Sequence, residues 1–262
     1  MRNGPYLKLY KGDIIYILSF IFLCIYILFK LGFYKNIKQN LYLTEQKLLS
    51  KKIMGYSLEY KYEEGEYAKI YYSQAGQDYV NVIKQAVDIY FPMLAEDFGL
   101  QPEGLDKVTI ILYPNAVELQ NAIRYDYGEK IPMGVYYGGI INLLSPQFYV
   151  QSDNYGEIIE YFIENGPVVH ELTHYFTDIK ARGNYDIWFS EGVALYYEYK
   201  YTNFEWRRDL KEYAREITPE QLKYNFRSIN EAAAYRKSFD IVHSYVGKYG
   251  EPALQNRIGE LK

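Results

Sequence analysis

His170-Glu171-Leu172-Thr173-His174 places two of the chain's three histidines four residues apart, on either side of a glutamate. If this segment is helical, residues i and i+4 share a face and both imidazoles can reach one ion. That demand constrains the fold more than any other feature. A zinc site needs a third protein ligand from a second element and an open fourth position for water. Glu171 lies to the side of the histidine pair, where it can deprotonate a water without being a ligand.

The third ligand is sought downstream in Trp188-Phe189-Ser190-Glu191-Gly192-Val193-Ala194, beyond a break containing Arg182, Gly183 and Asn184. The break is long enough to turn the chain back, and Ser190 is a good N-cap for a second helix. Glu191 then falls in the first turn of an antiparallel helix, facing the histidines, and is the expected third ligand. A third histidine at the metzincin spacing needs Gly at position 177 and His at 180, which hold Thr177 and Lys180. Asp178 lies a further turn along the same axis, where three ligands in a row cannot make a tetrahedron. Asp186, from the loop, stays open as a weaker alternative.

The two motifs together resemble those of the gluzincin metallopeptidases, and most closely the small peptidase MA-like family of membrane-anchored or secreted bacterial proteins. The resemblance extends from about Tyr67 to Gly250, although only the two motifs are specific. It implies zinc, hydrolysis of a peptide or protein substrate, and an extracytoplasmic catalytic domain. The implied fold is α+β: a thermolysin-like two-lobed zincin, with an N-terminal mixed sheet with helices, a C-terminal helical lobe and the site in the cleft. Within the family pattern Tyr235-Arg236-Lys237-Ser238 resembles a recurrent tyrosine segment, so Tyr235 is the expected donor to the tetrahedral intermediate. His243 is the runner-up. Glu198, two turns after Glu191, could orient a ligand histidine, but the favoured reading is a solvated helix face and it is not taken as a site residue.

The single cysteine, Cys24, lies within an apolar run, which excludes thiol nucleophiles and thiol ligands from the rest of the chain. The net charge of −4 offers no basic field for nucleic acid. The run itself, Ile14 to Phe29, is flanked by lysines and extendable through Leu31, Gly32 and Phe33 toward the ~20 residues of a spanning helix. It reads as an uncleaved single-pass cell-membrane anchor rather than a signal peptide, since no small-residue cleavage site follows. Arg2, Lys8 and Lys11 before it and Lys30, Lys35 and Lys38 after it leave the orientation open.

The expected organisation is an anchor over residues 1–35, a stalk over 36–55, an α/β lobe over 56–153 and a helical lobe carrying the zinc site over 154–262. Val108-Thr109-Ile110-Ile111-Leu112-Tyr113 reads as a buried strand, and Asn115 caps a short helix to about Tyr125. The segment Gly134 to Leu144 reads as a bent strand or hairpin, equally an ordinary sheet element or a substrate-binding edge strand. Pro167 suits the first turn of the metal helix, Thr218 and Asn230 open later helices, and Gly250 closes one. In the expected mechanism His170, His174 and Glu191 hold zinc, and Glu171 takes a proton from water and hands it to the leaving amine. The rival from another class is a catalytically inactive binding or scaffold protein, disfavoured because Glu171 is present. An intramembrane protease is excluded by Glu164, Asn165, Asp178 and Lys180 around the motif. Oligomeric state is not legible.

Overall fold

The computed structural model describes residues 11–30, 32–124, 131–148, 150, 152 and 154–261. The chain divides into two units, Met1–Tyr42 and Leu43–Lys262. The first holds α1 (Lys11–Lys30) and the beginning of α2 (Phe33–Tyr56). Among the described residues no helix is long and apolar enough to cross a membrane, so the expected spanning helix and single-pass localisation are corrected. The physical reason is length. Gly32 adopts a φ of 72° and a separate helix starts at Phe33, so the run is not extended as expected. Sixteen apolar residues alone span about 24 Å, against a hydrocarbon core of about 30 Å. Arg2, Lys8 and Leu31 lie outside the described residues.

The second unit is built on one five-stranded sheet: β1 (Lys61–Glu64), β2 (Ala68–Tyr72), β3 (Val108–Tyr113), β4 (Gly134–Tyr137) and β5 (Ile140–Leu144). The spatial order is β1-β2-β3-β5-β4. β2, β3 and β5 run parallel, while β1 and β4 are antiparallel to their neighbours at the two edges. β4 and β5 form a hairpin through Gly138 and Gly139, with φ of 63° and 72°. A two-residue turn with both central φ positive matches the twist of the flanking strands, and glycine reaches it without strain.

Strand side chains alternate between faces, and both faces here are covered. Ile70, Ile110, Leu112, Ile141 and Leu143 face α3 (Val80–Asp97) and α6 (Val168–Ala181). Ile111, Tyr113, Ile140 and Leu144 pack with Ile53 from the end of α2 and with Leu119 and Ile123 of α4 (Ala116–Ile123). Asn115 caps α4, its side chain accepting from the Glu118 N–H; Tyr125, the expected end of this helix, lies outside the described residues.

From α5 (Tyr155–Asn165) onward the chain is helical: α6, α7 (Ile187–Thr202), α8 (Lys211–Arg215), α9 (Pro219–Asn225), α10 (Glu231–Tyr249) and α11 (Glu251–Glu260). Thr218 and Gln221 form a reciprocal capping box, and Asn230 caps α10 by accepting from the Ala233 N–H. The expected two-lobed zincin is not found. Helices dominate, the sheet is small, and Leu43–Lys262 is one unit. A single core cluster runs from Ile70 and Leu112 through Phe91, Phe176 and Tyr197 to Val242, Leu254 and Ile258. Because α6 and α7 bury surface against both α3 and the last helices, the apolar core is continuous where a cleft between lobes was expected.

Candidate metal centre

α6 carries His170 and His174 on one face and ends where Arg182 takes the left-handed conformation (φ 49°), followed by Gly183 (φ 70°). That pair of residues reverses the chain and sends α7 back along α6. Asp186 stands at the N-cap of α7, without a side-chain capping bond, so Ser190 is not the cap the sequence suggested. It lies inside the helix, buried, and Glu191 sits just beyond the first turn.

The antiparallel pair brings Glu191 onto both histidines. Its Oε2 is 3.3 Å from His170 Nε2 and 3.4 Å from His174 Nε2, and one ligand atom from each residue lies within 4.8 Å of the others. Ligands about 2.1 Å from a tetrahedral ion are themselves about 3.4 Å apart, so this donor set of two imidazole nitrogens and one carboxylate oxygen fits zinc. Asp186 and Asp178 are not in the cluster. Asp178 accepts hydrogen bonds from the hydroxyls of Tyr136 (3.0 Å) and Tyr185 (3.2 Å).

The outer nitrogens of both imidazoles are also held. His170 Nδ1 is 3.1 Å from Glu198 Oε2, and His174 Nδ1 is 2.8 Å from Ser190 Oγ. With Nδ1 of each ring held outward, Nε2 is the nitrogen turned toward Glu191 and available to a bound ion. Glu198 therefore belongs to the candidate site, where the sequence alone favours a solvated helix face. Its side chain is 12% exposed, and it shares a face with Glu191 two helical turns away.

Burial disfavours charge on His170, but Glu191 and Glu198 outweigh it and hold the imidazolium well above its ordinary range. Burial would likewise raise Glu191, yet His174 and His170 hold its carboxyl well below the usual range. In the metal-free chain a proton on His170 thus occupies the position of charge that a cation would take.

Glu171 is 4% exposed, and burial pushes its carboxyl above the usual carboxylate range. Its Oε2 is buried without a partner. Leaving such an atom unsatisfied costs about 1–3 kcal/mol, a cost that a water or ligand in contact with it relieves. Edge strand β4 presses on it closely: a Cβ on Gly134 would stand 3.0 Å from Glu171 Cγ and 2.9 Å from Pro167 Cβ. Only glycine lets the strand lie there without moving the carboxylate.

These groups line a cavity of about 370 Å³, with Tyr235 on one wall and Ile123, Ile187 and Phe226 supplying apolar surface. Tyr235 is half-buried and lines the cavity together with Glu191. Burial, then the neighbouring Glu191 charge, raises its phenol well above the ordinary value, so it remains a donor. His243 does not line this cavity. It is exposed on the outer face of α10, stacked on Phe239 with ring centroids 5.3 Å apart. Compared with known proteins, the chain matches no family model and no curated sequence, so the resemblance to gluzincins rests on the residues of the two motifs.

Proposed function

We propose that the chain is a zinc-dependent peptidase in which His170, His174 and Glu191 hold the ion and Glu171 is the general base. The observation that carries this reading is the meeting of three ligand atoms within 4.8 Å beside a buried, unpartnered Glu171 Oε2 in one cavity. When bound, zinc supplies Lewis acidity, polarising a carbonyl and lowering the pKa of water toward neutrality. Glu171 takes a proton from water at Oε2 and delivers it to the departing amine; a carboxyl raised by burial is better matched to both transfers near neutral pH. The Tyr235 phenol, kept protonated, donates toward the carbonyl oxygen as negative charge develops there. Glu198 and Ser190 fix the two imidazoles.

A peptide is the substrate class that suits the edge strand. The two-residue hairpin makes Val135 and Tyr137 the hydrogen-bonded partners of Asn142 and Ile140, which turns the Gly134 and Tyr136 backbone groups outward. These groups are arranged to pair with an extended chain entering the cavity. The resemblance of the two motifs to gluzincins supports the same reaction.

The test is metal analysis of the full chain followed by cleavage of a mixed peptide pool. The expected result is about one zinc per chain, lost in His174→Ala, with Glu171→Gln retaining zinc while turnover falls by at least ~100-fold. Absence of zinc after reconstitution, or wild-type turnover in Glu171→Gln, would overturn the assignment.

A further inference from the structure

A second concavity, of about 750 Å³, lies between the 205–215 segment and the outer face of α10. Arg208, Lys211, Arg215, Lys237 and Lys248 line it, above the buried guanidinium of Arg236. Among the described residues that line it the only carboxylates are Glu205 and Asp240, and Arg236 Nη2 neutralises both, at 2.8 and 2.7 Å. Six cations thus meet two acids already paired from beneath, in a chain whose net charge is −4. None of the five rim cations is locked in a buried pair. Arg215 contacts Glu212 at 2.6 Å with both side chains more than 60% exposed, and Arg208 stands 3.7 Å from Glu205; such surface contacts are weak and easily exchanged. Lys237 reaches the Arg215 carbonyl, and Lys248 lies over the Tyr249 ring.

We infer that this groove binds an acidic polypeptide segment, a run of Asp and Glu side chains on a partner protein. Gathering like charges around one concavity is unfavourable in the free protein and is offset when an anion enters. The aromatic floor separates carboxylates from nucleobases. Phe239 has the Arg236 guanidinium 5.1 Å from its centroid and is stacked against His243; Tyr245 packs on Tyr249 at 4.9 Å. Phe239 is 2% exposed and, of the Phe and Tyr rings in this floor, only Tyr249 is largely exposed, whereas single-stranded nucleic acid needs successive open faces on which bases stack. What the groove offers outward is cationic side-chain ends, two of them guanidinium forks that match carboxylates.

The inference is independent of the proposed reaction, and its readout needs no turnover. Fluorescein-labelled hexaglutamate is titrated with the full chain by fluorescence anisotropy at low and physiological salt. Binding that weakens with salt is expected. It should fall by about tenfold or more in Lys211→Glu/Lys237→Glu/Lys248→Glu, with circular dichroism confirming the fold. Should the triple variant not fold, Lys211→Gln and Lys248→Gln, both at exposed positions, should each weaken binding about two- to threefold. No binding at low salt, or undiminished binding by folded variants, overturns the inference. Displacement of hexaglutamate by oligothymidylate or polyphosphate at far lower charge concentration than by unlabelled hexaglutamate overturns the choice of partner.

Discussion

Gly192, the residue after Glu191, sits where α7 crosses α10. A Cβ there would stand 2.5 Å from the Ser238 carbonyl oxygen and 2.8 Å from Val242 Cγ2. Real Cβ atoms essentially never approach nearer than 3.0 Å, so Gly192→Ala forces the two helices apart by at least 0.5 Å at a point where the obstacle is backbone. Two terms compete. Replacing glycine by alanine within a helix favours folding by about 1 kcal/mol, while overpacking a close contact costs about 1–3 kcal/mol. The clash with backbone puts this site at the upper end of that range, for a net loss of about 1–2 kcal/mol. In a unit of this size that lowers the melting temperature by roughly 2–8 °C. The displacement also acts on the site, because α7 carries Glu191 and α10 carries Tyr235, and both line the cavity. Differential scanning calorimetry with zinc titration measures both consequences. A Gly192→Ala chain that melts at or above the wild-type temperature would refute the close-approach argument.

Two further outcomes are expected. Glu198→Ala frees His170 Nδ1, now 3.1 Å from the carboxylate, and should weaken zinc binding by about 10–100-fold in a chelator competition; unchanged affinity would return Glu198 to the status of a surface residue. Arg236, hydrogen-bonded to Glu205, holds that carboxyl below the usual carboxylate range. Its stabilisation is therefore present above the unfolded-state pKa and is lost as pH falls through the lower folded value. Glu205→Gln should cost about 1 kcal/mol near pH 7 and progressively less as pH falls below the unfolded-state value, read as the difference in urea midpoints; a gap that persists undiminished in acid would contradict the pairing.

Much of the local structure is legible because its causes are local. The β-branched run Val108–Tyr113 is a strand, and Asn115, Thr218 and Asn230 cap the helices they precede. What is not legible depends on partners distant in sequence. Ser190 has the chemistry of an N-cap, but α7 begins at Ile187, and the hydroxyl meets His174 instead. The division into two lobes fails for a related reason: helical and sheet segments are separable in sequence, whereas their apolar faces close over one another in space. The run Ile14 to Phe29 reads as a spanning segment only if it continues past Lys30, and a glycine with positive φ marks where it does not.

Glu198 shows how the sequence could have been read further. Dismissing it as a solvated position assumes that α7 has a solvated face, yet Gly192 through Tyr197 are all buried. A carboxylate on a helix enclosed by its neighbours must be neutralised, because an unpaired buried charge is too costly to keep. Glu191 and Glu198 are seven residues apart and share a face, so one cationic or imidazole partner placed between them can answer both. His170 does this, with Nε2 toward Glu191 and Nδ1 toward Glu198. The spacing of the two glutamates within an apolar helix therefore carries a second, weaker signature of the site beside the histidine pair. It becomes readable once the helix is recognised as central rather than peripheral.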